Sequence, residues 1–441
     1  MNRELYLIAK KDKTHIWHPY TQAKTAAPAI PIARAEGAVL HGMDGKEYLD
    51  LISSWWVNLH GHAHPRIAEA IAAQAKTLEQ VIFAGFTHQP AVELAARLSA
   101  LLPADLERVF YSDNGSTAIE VALKVAYQFW KQADSPRKTR FLAFEGGYHG
   151  DTVGAMSMGA SSGFFGHWKD LLFSITALPY PATWDNDPDV ETKEKACLDA
   201  LEAYLAQYAE ETAALIVEPL VQGAAGMRMC RPEFLREVEK RLRAARVLLI
   251  FDEVMTGFGR TGDLFACLKS GATPDIICLS KGLSGGFLPL SVTVFRRFLH
   301  DAFLGEDFST ALAHGHSFTA NPLGCAAALA SLELLLEDQT ARNIGTIVEK
   351  HRERLNGLSH PRLGRTRQCG TIAAVDVLGG RQDYSAQEGQ ALMRYFMDKG
   401  LLIRPLGHVI YLLPPYCVTP EQLDRAYDAI EAGARDILEN P

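Results

Sequence analysis

In the stretch DIICLSKGLSGG, Lys281 follows an apolar run and precedes a glycine-rich turn. An amine set into a cleft there, where its surroundings favour the neutral form, can condense with a carbonyl carbon and carry protons afterwards. A second stretch, LLIFDEVMTGFGRTG, leaves Asp252 at the end of a strongly apolar strand. An ionised carboxylate is costly at such a place unless a cation or a donor meets it, and a protonated heteroaromatic nitrogen would do so. Glu253 beside it could serve with the opposite orientation, so the two acids stay open, as does a plain salt bridge. In SDNGSTAIEVAL, Gly115 and Ser116 lie at the start of a helical pattern, where backbone N–H groups at the positive end accept a phosphate or simply form a cap.

Three such groups can only act together if the elements behind them bring their ends to one place. AALIVEPL at 213–220, RVLLIFDE and DIICLS read as buried strands, and RPEFLREVEKRLRAA, with Pro232 near its start, reads as a helix between the first two. Strand, helix, strand in this order is α/β grammar, with functional loops at the carboxyl ends of the strands. Val109–Tyr111 forms the end of a further strand, and Ile119, Leu123, Ala126 and Trp130 make the apolar stripe of the helix after it. The spacing predicts another helix from residue 65, with Ile67, Ala70, Ile71, Gln74 and Leu78 near one face, and one over 324–337 that closes a large domain. Residues 1–60 are turn-rich with short strands. The remainder, 338–441, reads as a small α+β lobe whose last helix is capped by Thr419, with Pro420 first and Gln422 completing a capping box.

A chain of 441 residues is long for one core, which suits this division into a large domain over 61–337, a C-terminal lobe and an N-terminal segment shared with that lobe. A formal net charge of -8 favours neither nucleic acid nor an acidic membrane as a partner. No run is long and apolar enough to span a bilayer. The seven cysteines are widely spaced, without a C-x-x-C pair, which fits a reducing compartment and points to the cytoplasm. There is no phosphate-binding G-x-x-x-x-G-K-[ST] loop and no H-E-x-x-H. The histidines of HGHAHP (His60, His62, His64) lack a nearby cluster of acids or cysteines, so they read as a turn and no metal is expected.

LLIFDEVMTGFGRTG, LSKGLSGG and GHSFTANPLGCAAA together resemble the class III, or omega, branch of the fold-type-I aminotransferases, and the resemblance covers nearly the whole chain. It implies pyridoxal 5'-phosphate as cofactor, a large domain with a mostly parallel sheet flanked by helices, a smaller α+β domain, and a homodimer with active sites at the subunit interface. In that light Lys281 looks like the lysine that bears the cofactor and moves the proton, Asp252 like the partner of the pyridine nitrogen, and Tyr148 like the cover of its ring. Gly115 and Ser116 would hold the phosphate. The GHSF segment would come from the other subunit, with His316 and Ser317 standing where a proline-threonine pair is common; serine keeps the hydroxyl, so looser packing rather than lost function is implied.

The flanking stretches HIWHPYTQ, SSWWVNLHGHAHP, YHGDTVGAMS, GMRMC and IRPLGHVIYLLPPY are similar to those of family members that move an amino group from S-adenosylmethionine to 8-amino-7-oxononanoate in biotin biosynthesis. This resemblance implies substrate contacts for Tyr20, Trp55, Trp56, Gly315, Arg404 and Tyr411, with Arg260 near the entrance. Arg404 would receive a carboxylate with its planar fork. Adjacent tryptophans on a strand cannot both face one core, so a lined channel suits Trp55 and Trp56 better. Lysine as amino donor stays open, as does an ornithine, β-alanine or 4-aminobutyrate aminotransferase; the tandem tryptophans and HPYT weigh against those three. A non-catalytic relative would have no physical need of Lys281, Asp252 and Tyr148 together.

Overall fold

The computed structural model describes residues 3–133, 135–381 and 386–438. Its centre is a seven-stranded sheet of β1 (Leu106–Ser112), β2 (Arg140–Phe144), β3 (Thr176–Leu178), β4 (Thr212–Val217), β5 (Leu248–Asp252), β6 (Ile276–Leu279) and β7 (Ser291–Arg296), in the order β1-β7-β6-β5-β4-β2-β3. β7 runs antiparallel to both neighbours, while the pairs from β6 to β3 are parallel. Every residue of β4, β5 and β6 is buried, as their nearly unbroken apolar runs require of strands covered on both faces. The period of two divides them: Leu215, Val217, Leu249 and Phe251 enter one core, whereas Ala214, Ile216, Leu248 and Ile250 enter the other.

Helix Gly115–Gln132 covers the second face, with Ile119, Leu123, Ala126 and Trp130 all buried as its apolar spacing predicts. Helix Pro232–Ala244 starts on its proline and buries Phe234, Leu235, Val238 and Leu242. Helix Pro322–Leu335 begins two residues earlier than expected, because the Asn321 side chain accepts the Gly324 N–H at 3.0 Å and sets the N-terminus. Because the strands from β6 to β3 run parallel, the chain leaves β2, β4, β5 and β6 at one end of the sheet, and there it turns through Tyr148, Glu218, Asp252 and Lys281.

The two ends of the chain build on each other. Strands Ile32–Glu36, Val39–Gly42 and Glu47–Asp50 form a sheet completed by Leu401–Leu402, paired parallel with Leu49 and Asp50. Beside it lies the antiparallel sheet of Leu363–Cys369, Ile372–Val377 and Val409–Leu412. The final helix, Pro420–Gly433, carries the capping box expected of Thr419 and Gln422. Gly370 turns the hairpin into the large domain: its φ is +59°, and a Cβ there would lie 2.1 Å from the Thr261 carbonyl carbon, so only glycine allows this approach.

The histidines of residues 60–64 are spent on packing. His60 Nε2 lies 3.1 Å from Ser331 Oγ and His62 Nε2 lies 2.9 Å from Asp50 Oδ2. Burial drives the His60 imidazole down to about 3, so it stays neutral. Among the described residues no group of His, Cys, Asp or Glu is arranged to hold a metal ion, no cysteine is paired, and no helix is long and apolar enough to cross a membrane.

Candidate active site

Lys281 follows β6 by one residue and opens a short 3-10 turn, Lys281–Ser284, with φ of +45°. That conformation is strained for a side chain with a Cβ, and the turn is held by Ser280 Oγ donating to the Leu290 carbonyl at 2.8 Å. The side chain reaches into a cavity of about 620 Å³, where Nζ lies 4.6 Å from the centre of the Trp56 ring. Burial holds the amine below its ordinary value, against the pull of the Asp252 and Glu218 carboxylates. A larger fraction is therefore neutral, and nucleophilic, at a given pH than for an exposed lysine.

Asp252, the last residue of β5, lines the same cavity. Its Oδ1 accepts the Val254 N–H at 3.1 Å, and its Oδ2 lies 2.7 Å from Nδ1 of the buried His149 ring. Glu253 takes the other direction, away from the cavity, and its oxygens accept the N–H groups of Ala266 and Cys267 at 2.6 and 2.7 Å, capping the helix Ala266–Ser270. Alternation at the strand end thus separates two acids that the linear sequence leaves equivalent.

The third element is the N-terminus of helix Gly115–Gln132. Asn114 caps it in a reciprocal box with Thr117, and among the described residues the N–H groups of Gly115 and Ser116 have no acceptor. Two free donors at the positive end of an 18-residue helix, on the cavity wall, form an anion seat. Gly150 shapes it from the opposite side: φ is +126°, and a Cβ would lie 2.1 Å from Ser116 Oγ, the atom that accepts the Asp151 N–H at 3.1 Å. Gly150→Ala is expected to cost about 1–3 kcal/mol of stability through this overlap. It should also lose most of the rise in melting temperature that a phosphate-bearing cofactor confers, as thermal denaturation with and without cofactor will show.

Aromatic side chains build the remaining wall. Tyr148 stacks on Phe165 with centroids 6.0 Å apart, its N–H donates to Glu218 Oε2 at 3.0 Å, and its hydroxyl lies 3.3 Å from that of Tyr20. Burial pushes the Tyr148 phenol far above its usual range, so it remains protonated. Tyr20 donates to Asp151 Oδ1 at 2.8 Å and meets Trp55 edge-on at 5.7 Å. The tandem tryptophans lie in an irregular turn rather than a strand, with positive φ at Ser53, Ser54 and Trp56, so their side chains part. Trp56 is 5% exposed and lines the cavity, whereas Trp55 is 47% exposed at the rim, with the Arg404 guanidinium over its ring at 5.7 Å.

Two expected substrate contacts, Arg260 and Tyr411, do not line the cavity. Arg260 is not at an entrance: it is 1% exposed, donates to the carbonyls of Pro414 and Asn58 at 2.8 Å each, and lies over Tyr416. These two bonds, to carbonyls from distant parts of the chain, hold the guanidinium inside the protein. Tyr411 is buried behind Trp56, and its hydroxyl accepts the indole N–H at 2.9 Å; it orients a wall residue instead of forming the wall. Gly315, His316 and Ser317 form a surface loop that does not line this chain's own cavity. His316 reaches only its edge, 3.6 Å from Asp113 Oδ2, and Ser317 offers its carbonyl to Gln80 at 3.0 Å.

The sequence reading passed over His149, Asp151 and Glu218. The first two flank Gly150 in the same YHGD run as Tyr148, and Glu218 ends the AALIVE run in the way Asp252 ends LLIFD. Glu218 is a buried clamp: it accepts from Tyr148 N and from Gly223 N at 3.0 and 2.9 Å, and burial raises its carboxyl to about 7.

Residues 20–433 match the family described as aminotransferase class-III. The adenosylmethionine-8-amino-7-oxononanoate aminotransferase of Synechococcus elongatus is 54% identical over 417 residues, covering 94% of this chain and 97% of the relative. The enzyme of the same name from Geobacter sulfurreducens is 42% identical, with 95% of each chain covered. The crystal structure of its namesake from Methanocaldococcus jannaschii superposes with a TM-score of 0.90 at 35% identity, covering 98% of this chain and 99% of the other.

Proposed function

This chain belongs to the class-III aminotransferases, and from that membership we propose that it transfers the amino group of S-adenosylmethionine to 8-amino-7-oxononanoate, yielding 7,8-diaminononanoate for biotin biosynthesis. The observation that carries the chemistry is the meeting, on one cavity, of the half-buried Lys281 amine, the Asp252–His149 pair and the unsatisfied N-terminus of helix Gly115–Gln132.

Pyridoxal 5'-phosphate fits this donor set. When bound it supplies an electron sink for the pair released at the amino-bearing carbon. The Gly115 and Ser116 N–H groups would hold its phosphate, Tyr148 would cover its ring, and Asp252 would keep the ring nitrogen protonated. His149 holds the Asp252 carboxylate through Oδ2. Lys281 Nζ takes the proton from the α-carbon of the donor and, in the second half, delivers one to C7 of the acceptor, acting in turn as base and acid. Trp56 packs over Nζ, its ring centre 4.6 Å away. At the rim, Arg404 would receive the carboxylate of the acceptor, while Tyr20 and Trp55 offer ring faces to either substrate.

The cofactor's visible absorbance tests donor and acceptor in one cuvette. S-adenosylmethionine alone is expected to bleach it within one turnover, and 8-amino-7-oxononanoate to restore it. Bleaching by lysine and not by S-adenosylmethionine would retain the acceptor and replace the donor.

A homodimer completes this reading, with Gly315, His316 and Ser317 of a second copy closing the phosphate seat. Its support is a set of exposed apolar side chains, Ile82, Phe86 and Phe318, on two loops that Gln80 ties together through the Ser317 carbonyl and Asn321. Phe86→Glu is expected to shift sedimentation from dimer toward monomer and weaken cofactor retention; an unchanged sedimentation profile would move the interface elsewhere. The small lobe formed by both chain ends, the large domain over 61–337 and residence in the cytoplasm belong to the same proposal, the last resting on seven unpaired thiols.

A further inference from the structure

Glu218 follows β4 directly and lines the cavity at Lys281 without a part in the proton transfers. It is 6% exposed, and each of its oxygens takes a different loop. Oε2 accepts the N–H of Tyr148, in the loop that leaves β2, at 3.0 Å, and Oε1 accepts the N–H of Gly223 at 2.9 Å. Gly223 opens a turn in which its carbonyl accepts the N–H groups of Gly226 and Met227 at 3.1 and 3.0 Å. The turn packs onto the cavity wall: a Cβ at Gly223 would lie 2.6 Å from Met255 Sδ and 3.1 Å from Cζ3 of Trp56. Trp56 is the ring whose centre lies 4.6 Å from Lys281 Nζ.

We propose that Glu218 is a positioning residue for amino transfer, whose two oxygens hold Tyr148 and the wall at Trp56 in register across the cavity; the inference rests on the reading of Tyr148 as the cover of the cofactor ring. A carboxylate suits this post better than a neutral side chain, since both of its oxygens accept and neither presents a hydrogen. Its bonds to backbone N–H groups are also stronger than those of a neutral acceptor. The same two loops are tied independently at their base. Gln222 Nε2 and Arg228 Nη1 donate to the Glu145 carbonyl at 3.2 and 3.0 Å, so the loops stay joined when Glu218 is changed.

The charge of Glu218 bears on the amine as well. Burial lowers the proton affinity of Lys281, the Asp252 and Glu218 carboxylates raise it, and the Arg260 guanidinium lowers it. Burial raises the Glu218 carboxyl itself to about 7, as does the Asp252 charge, while His149 and the two N–H donors favour its ionised form. Glu218→Gln removes the charge at nearly constant shape and turns an amide N–H₂ toward one of the two N–H groups. Lys281 should then lose its proton at a lower pH. Glu218→Asp keeps the charge and is one methylene too short to reach both loops.

Two readouts apply to the holoenzyme. Circular dichroism of the visible cofactor band reports the asymmetry of the walls around the ring, and the pH dependence of bleaching by S-adenosylmethionine reports Lys281. Glu218→Gln should alter the band's circular dichroism and move the rising pH limb to lower pH. It should also slow bleaching about tenfold, with less than about a twofold change in the half-saturating S-adenosylmethionine concentration. Glu218→Asp should alter the band and leave the limb in place, and it carries the test if Glu218→Gln does not fold. An unchanged band in every Glu218 variant that folds would overturn the proposal, even with a lowered melting temperature, because a clamp on the fold alone moves only the latter. Tyr148→Ala separates the proposal from the reading beneath it. A band that responds to Tyr148→Ala but to neither Glu218 substitution retains the ring cover and removes the proposal. A band indifferent to Tyr148→Ala removes both.

Discussion

Lys281→Ala is expected to lower turnover by on the order of 10⁴-fold or more, because a single change removes both the group that takes the α-proton and the one that returns it. The cavity around it loses one stem but no structural hydrogen bond, since the turn is held by Ser280 Oγ and the Leu290 carbonyl. The variant should therefore fold and retain the cofactor weakly through the helix N-terminus and Asp252. Single-turnover absorbance with S-adenosylmethionine measures the chemical step directly, and bleaching at the rate of the unaltered enzyme would remove Lys281 from the mechanism. The pH dependence has a definite sign. Burial lowers the amine's affinity for its proton, so the neutral base is reached at a lower pH than an exposed lysine would need. In the unaltered enzyme the half-reaction rate should rise with pH and level off below the pH an exposed lysine would need. In Lys281→Ala that limb should vanish.

Asp252→Asn is expected to slow the first half-reaction by about 10²–10³-fold, the usual effect of removing one preorganised electrostatic partner from a buried site. The substitution preserves shape. An amide oxygen can still accept the Val254 N–H, and the amide N–H₂ can face His149 Nδ1 once the ring proton moves to Nε2. What disappears is the negative charge that would hold the cofactor nitrogen protonated. Melting temperature should change little while the rate falls, and a variant with a full rate would transfer that role to another group. Glu253 cannot take it over, because both its oxygens are engaged by the Ala266 and Cys267 N–H groups away from the cavity.

Much of this molecule was legible in the linear sequence because it depends on near neighbours. The unbroken apolar runs of β4, β5 and β6 demand burial on two faces, and burial on two faces demands a helix-covered parallel sheet. The stripe from Ile119 to Trp130 and the capping box of Thr419 and Gln422 repeat over three or four residues, the range over which a helix brings side chains together. Lys281 and Asp252 could be picked out because a charge that directly ends an apolar strand is expensive without a use.

Contacts across long spans of chain were decided only by the tertiary structure. His149 and Asp252 are 103 residues apart, and Trp56 and Tyr411 are 355 apart, so no local pattern pairs them. Whether Asp252 or Glu253 faces the cofactor seat depends on strand register and on where helix Ala266–Ser270 begins. Arg260 looked available from the outside, yet it is held inside by the Pro414 and Asn58 carbonyls, 154 and 202 residues away in the chain. Residue type and spacing dictate what each segment can bury and which groups must find partners. Which partner is reached follows from packing, since each buried donor or acceptor takes whatever the neighbouring element presents.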